Sequence, residues 1–222
     1  MKRLLIQLGL LGVVILASPT MSSAGTLGLQ SFLPSLGTTP VQRYGALADL
    51  TIGWSFTVGP QSVSVTDLGF FDYNGDGLDT AHEVGLWNSS GSLLTSVTVP
   101  AGTGGTLVDG FRFTLLSSAL DLVANQGYVI GAHITVNSGD IFYTATSATL
   151  APEFTFGTPL DDADPAVGFV QPVRTRPDVG FGFFGPNFRF VDQVSAVPEP
   201  GTLALLALGM AGAGVARRRR RR

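Results

Sequence analysis

Between residues 25 and 197, apolar and polar positions alternate with a period of two, in short runs separated by turn residues. From Thr51 to Val58, Ile52, Trp54, Phe56 and Val58 share one face, and Thr51, Gly53, Ser55 and Thr57 the other. That spacing predicts a half-buried strand. Ser62 to Phe71 starts with Val63 and Val65, then shifts near Asp67 so that Leu68 and Phe70 become the apolar set, as a β-bulge would require. Val84 to Trp87, the polar loop Asn88-Ser89-Ser90-Gly91 and Leu93 to Val99 predict a hairpin. Phe111, Phe113 and Leu115 alternate with Arg112 and Thr114, and Tyr128, Ile130, Ala132, Ile134 and Val136 with Val129, Gly131, His133 and Thr135. Further strands are expected at 141–145, 181–184 and 188–194. The total is about nine strands with no amphipathic helix, which predicts an all-β chain folded as an antiparallel β-sandwich or jelly roll. The stretch 148–177, with Asp161, Asp162, Asp164 and five prolines, reads as a long surface excursion.

The two ends follow different rules. Lys2 and Arg3, the apolar stretch Leu4 to Ala17 and the small residues Ser22-Ser23-Ala24 have the order of a secretory signal peptide, residues 1–24. At the other end Val197-Pro198-Glu199-Pro200 precedes an apolar run, Gly201 to Ala216, and six arginines, Arg217 to Arg222. As a helix the run would span about 24 Å at ~1.5 Å per residue, a short transmembrane helix for a ~30 Å hydrocarbon core. The positive-inside rule keeps the arginines cytoplasmic and places the preceding chain outside. The expected organisation is signal peptide 1–24, β-sandwich domain 25–196 and C-terminal segment 197–222.

The segment 197–222 resembles the PEP-CTERM sorting signal, whose three parts are a Val-Pro-Glu-Pro motif, a short transmembrane helix and a terminal arginine cluster. The resemblance implies signal peptidase and the membrane protease exosortase as processing enzymes. It further implies transient membrane insertion and export across the inner membrane of a Gram-negative, exopolysaccharide-producing bacterium, to the cell surface or biofilm matrix. Val197, Pro198, Glu199 and Pro200 are then a recognition motif, not a catalytic one.

The net charge of −3 combines two populations. Eight of the thirteen basic residues lie in the two terminal segments, whereas residues 25–197 hold fifteen acids against five arginines, a formal charge of −10. Such a domain repels anionic partners, which argues against nucleic acid. With no cysteine, its stability rests on the apolar core without disulfides.

Asp72-Tyr73-Asn74-Gly75-Asp76-Gly77-Leu78-Asp79-Thr80-Ala81-His82-Glu83 fits the calcium-loop pattern D-x-[DN]-x-[DN]-G-x₅-E. Asp72, Asn74, Asp76, the Leu78 carbonyl and Glu83 are the candidate Ca²⁺ ligands, and Gly77 permits the sharp turn. The same residues also suit a plain polar turn between strands. Tyr73 at the loop tip and Trp87, opposite in parity to Val84 and Leu86, are candidates for a sugar-stacking platform; alternatively Trp87 covers the sandwich edge. Enzyme chemistry is short of parts: there is no cysteine, residues 25–197 lack lysine, and the only histidines are His82 and His133.

Gly53-Trp54-Ser55-Phe56, Gly75-Asp76-Gly77-Leu78, His82-Glu83-Val84-Gly85-Leu86-Trp87, Gly110-Phe111-Arg112-Phe113 and Tyr128-Val129-Ile130-Gly131 resemble a bacterial module, the domain of unknown function labelled 4082, over roughly residues 45–150. The resemblance implies a β-sandwich related to carbohydrate-binding or immunoglobulin-like modules and no established activity. The expectation is an exported, non-catalytic structural or binding module of the surface or exopolysaccharide matrix. A calcium-dependent carbohydrate-binding adhesive module is the alternative, and a polysaccharide hydrolase a more distant one.

Overall fold

A computed structural model describes residues 25–34, 49–162, 168–179 and 182–193. Residues 1–24, read as a signal peptide, and the segment 197–222 lie outside the described residues. The described residues contain fourteen strands and no α-helix. In chain order the strands are β1 (Thr26–Leu27), β2 (Leu29–Pro34), β3 (Leu50–Val58), β4 (Val63–Phe71), β5 (His82–Asn88), β6 (Leu93–Val99), β7 (Thr106–Val108), β8 (Phe111–Leu122), β9 (Gly127–Ile134), β10 (Tyr143–Leu150), β11 (Phe154–Asp161), β12 (Arg174–Thr175), β13 (Gly182–Phe184) and β14 (Pro186–Asp192). They form a five-stranded sheet, β1-β14-β4-β8-β7, a six-stranded sheet, β12-β11-β3-β9-β5-β6, and a three-stranded sheet, β13-β10-β2. Every pairing is antiparallel.

One core joins the three sheets. The period-two face of β3, Ile52, Trp54, Phe56 and Val58, is buried against Phe188 and Phe190 of β14 and Val65, Leu68 and Phe70 of β4. The Phe56 and Phe188 rings stack at 5.1 Å. The Trp54 indole N–H donates to the Pro186 carbonyl at 3.2 Å, so the largest buried side chain also satisfies its polar atom. Phe142, Phe183 and Phe184 extend the same core under the small sheet.

Several expectations are corrected. The strands among the described residues number fourteen, not nine, because β1, β2, β7, β11 and β12 carry weak alternation or none. The stretch read as an excursion contains β11, an eight-residue strand beside β3. Its signal is hidden by Pro159, which sits at a register shift after Phe156, where a missing N–H is tolerated. Leu115 is not a core residue but 71% exposed, and Leu116 is buried instead. Leu115 pairs with Asp67 in the same register as Phe113 with Gly69, and the β4–β8 shift lies just beyond it, where residues 116–119 of β8 oppose Thr66 of β4. Val136 is exposed because β9 ends at Ile134.

Register fixes which features share an end of the sandwich. Asp192 of β14 pairs with Val63 of β4, and Pro186 with Phe70. Thr26 of β1 pairs with Phe190. The chain therefore enters β1 and leaves β14 at the same end, while the turn after Phe71 lies at the opposite end. Nine residues of β4 separate the two ends, about 26–30 Å at ~3.3 Å per residue.

Candidate binding site

The loop from Asp72 to Ala81 connects β4 of one sheet to β5 of the other, at the end away from Asp192. Asp72 is buried and its carboxylate is already engaged. Arg112 Nε donates to Asp72 Oδ2 at 2.6 Å, and the Gly77 N–H reaches Oδ1 and Oδ2 at 3.2 and 3.1 Å. The rest of the guanidinium binds the loop backbone, with Nη2 on the Gly75 carbonyl at 3.0 Å and Nη1 on the Gly105 carbonyl at 3.2 Å. Gly77 has φ +117°, and a Cβ there would stand 2.9 Å from the Gly102 carbonyl carbon, so only glycine suits the position. The Leu78 carbonyl accepts from the Gly102 N–H at 2.7 Å.

A second network closes the loop. Asp140, also buried, accepts from the backbone N–H of Asp79 at 2.8 Å and of Thr80 at 2.9 Å. His82 Nε2 lies 2.9 Å from Asp140 Oδ2, and its Nδ1 lies 3.0 Å from the His133 carbonyl oxygen. The imidazole is fully buried and stacks on Phe70 at 3.9 Å. Burial pushes the Asp140 carboxyl up, but the His82 hydrogen bond and the Thr80 and Asp79 N–H groups outweigh it, so the carboxyl is held below its ordinary value. The hydroxyls of Thr80 and Ser138 bond to each other and to Asp140. Both histidine ring nitrogens are engaged with oxygens other than these hydroxyls, so the cluster does not have the nucleophile–base pairing of a serine or threonine hydrolase.

Of the calcium-loop set, Asp72, Asn74 and Asp76 line one pocket of about 170 Å³ with Asp79 and Asp140. Glu83 is not among its lining residues; it sits on β5, with Ser96 Oγ 3.5 Å from its carboxylate. Among the described residues no three Asp, Glu or His side chains are grouped to hold a metal ion. Asp161, read from sequence as part of an acidic loop, is buried and takes Arg174 at 2.6 and 2.7 Å and Arg176 at 2.6 Å.

The sugar platform is also rearranged. Trp87 does point away from Val84 and Leu86, but it is only 3% exposed. Phe169 covers it, with ring centroids 5.1 Å apart, and Val129 and Leu160 complete a small outer core on the six-stranded sheet. Tyr73 is 42% exposed and lies elsewhere, on a groove of about 360 Å³. Its neighbours there are Phe71 at 6.5 Å and Tyr143 at 6.0 Å between ring centroids. Phe32 and Phe111 complete a five-ring cluster around Phe71, at 5.4 and 5.3 Å from it. Gln30, Ser31 and Asp109 supply the polar lining. Sequence reading found Tyr73 but missed Arg112, Asp140 and Tyr143. Arg112 carried one signal, a lone basic residue between two core phenylalanines, whereas Asp140 and Tyr143 carried none.

Two family models match the chain. One is described as a domain of unknown function (DUF4082) and matches residues 37–160, more than half the chain. The other is the PEP-CTERM protein-sorting motif and matches residues 196–221. No curated protein and no solved structure matches. The folded unit is larger than the matched module: β1 and β2 precede it, β12 to β14 follow it, and β14 lies between β1 and β4 in the five-stranded sheet.

Proposed function

The chain belongs to the DUF4082 family, domains of unknown function, and carries a PEP-CTERM motif that marks an exported, exosortase-sorted protein; from that premise we propose that its β-sandwich is a non-catalytic module displayed at the cell surface or in the exopolysaccharide matrix. The observation that carries this reading is the polarity of the fold. The chain leaves β14 towards the sorting motif at one end, and the pocket and the aromatic groove lie at the other. A domain tethered near Asp192 thereby directs both features away from the membrane where it is processed. The signal peptide 1–24 is the proposed export route, and signal peptidase and exosortase are the proposed processing enzymes.

Fractionation of strains with and without exosortase tests the sorting step. With the enzyme, the expected form has lost the arginine tail and sits at the surface or in washed matrix polysaccharide. Without it, the intact tail is expected to accumulate in the membrane fraction. An intact tail in both strains, at the same location, removes this reading.

Calcium is given a smaller part. We propose that the Arg112 guanidinium supplies the positive charge that a metal would bring to Asp72. A chelator is then expected to leave the melting temperature of the full chain in detergent within about 1 °C, because a ligand stabilises only what it binds. A drop of several degrees, reversed by millimolar calcium, would restore the metal reading.

A further inference from the structure

We propose that the five-ring groove beside Tyr73 binds a neutral polysaccharide chain; this rests on the reading of the domain as a surface or matrix module. Phe111 and Tyr143 are buried at its floor, and Tyr73 stands exposed at its rim. An exposed ring continuous with a buried aromatic cluster is the kind of apolar patch that marks a binding surface. The volume, about 360 Å³, falls in the range of small-ligand sites, about 300–1,000 Å³.

The chemistry selects a sugar. A pyranose presents a face of C–H bonds and an edge of hydroxyls. Aromatic faces carry the negative lobe of a quadrupole and receive polarised C–H bonds, while the edge requires hydrogen-bonding partners close by. Tyr73 offers an exposed face above the floor formed by Phe111 and Tyr143, and Asp109 a fixed acceptor. Asp109 (φ 46°) and Gly110 (φ 81°) make the tight turn between β7 and β8, so the carboxylate sits on a short hairpin, not on a long loop. Burial and the adjacent Tyr73, to which it is hydrogen-bonded, push the Tyr143 phenol above its ordinary value.

Charge selects a neutral chain. The described residues lining the groove carry one charged group, Asp109, and the neighbouring pocket adds Asp72, Asp76, Asp79 and Asp140. Arg112 offsets the charge of Asp72, which leaves uronate or sulfate groups in the groove facing Asp109, Asp76 and Asp79, with no basic side chain among the described residues that line it. The groove also lies at the end of the sandwich opposite the exit to the sorting motif, where a polymer can approach.

The test is affinity electrophoresis of the full chain in detergent, in gels containing mixed-linkage β-glucan, hydroxyethylcellulose, galactomannan or dextran, with alginate as the anionic arm. Retardation is expected in at least one neutral gel and not in alginate. Tyr73→Ala is expected to raise the dissociation constant about tenfold or more, as for an aromatic side chain that anchors a ligand. Tyr73→Trp, which keeps a flat ring, should retain binding. Because Tyr73 is 42% exposed, its truncation leaves the core intact, and an unchanged melting temperature verifies this. No retardation in any neutral gel, retardation by alginate alone, or equal retardation of Tyr73→Ala overturns the proposal. The sorting reading is scored separately: a correctly processed protein that no neutral gel retards leaves sorting standing and ends the glycan inference alone.

Discussion

Asp140→Ala is expected to lower the unfolding free energy of the full chain by about 3 kcal/mol or more, because several buried donors lose a charged acceptor at about 1–3 kcal/mol each. The reason is the number of donors that converge on this carboxylate. His82, fully buried, and the N–H groups of Asp79 and Thr80 would all lose their acceptor, and the Thr80 and Ser138 hydroxyls would lose a shared one. Urea unfolding at neutral pH measures the loss; a change under about 1 kcal/mol would show that water replaces the carboxylate without cost.

The same residue sets a pH dependence whose sign follows from its shift. Its pKa is lower in the folded chain than its ordinary value of 3.8. The unfolded chain therefore binds the proton first, and stability from Asp140 is fully present above the ordinary value and is lost as pH falls through the folded one. The melting temperature of Asp140→Asn is expected to lie below that of the unsubstituted chain at pH 5–7, with the gap narrowing below about pH 4. A gap that stays constant to the onset of acid unfolding would contradict this.

Arg112→Met is expected to cost a similar amount, about 3–5 kcal/mol. Asp72 has a side chain only 1% exposed, and without the guanidinium it would be a buried carboxylate with a single N–H partner group, that of Gly77. The Gly75 and Gly105 carbonyls would lose their donors as well. Adding Asp72→Leu to Arg112→Met should recover part of the loss, since a buried pair replaced on both sides is often close to neutral. A double-mutant cycle by urea unfolding reads the coupling. Additive effects of the two substitutions would mean that the pair does not organise the loop.

The residues most legible in the sequence were those whose environment repeats along one strand. Ile52, Trp54, Phe56 and Val58 announced their burial by period two, and the Asn88–Gly91 turn announced its hairpin; the fold returns both. The register shift at Asp67 was also readable, but its consequence for the partner strand was not. Leu115 follows the alternation of Phe111 and Phe113 and yet faces solvent; it is the last residue paired before the β4–β8 register shift, and Leu116 beyond it is buried. Trp87 shows the same limit in another form. Parity assigned it to the outer face, and the outer face is where it lies, but Phe169, over eighty positions away, buries it.

The sequence by itself determined the all-β class, the turn residues, the sorting motif and the acidity of residues 25–197, because each is carried by spacing or composition within a short window. Only the tertiary structure decided which partners the carboxylates of the acidic loop and of Asp140 take. Asp72 and Arg112 are forty residues apart, and Asp140 and His82 fifty-eight. Their pairing requires β4, β5, β8 and β9 to be brought to one end of the sandwich. Tyr73, Phe32 and Tyr143 likewise meet only after β2 and β10 pair beside the core. Long-range pairing conveys no periodicity to a single chain, and for that reason the acidic loop's buried hydrogen-bond networks beside an open aromatic groove were not legible in the sequence.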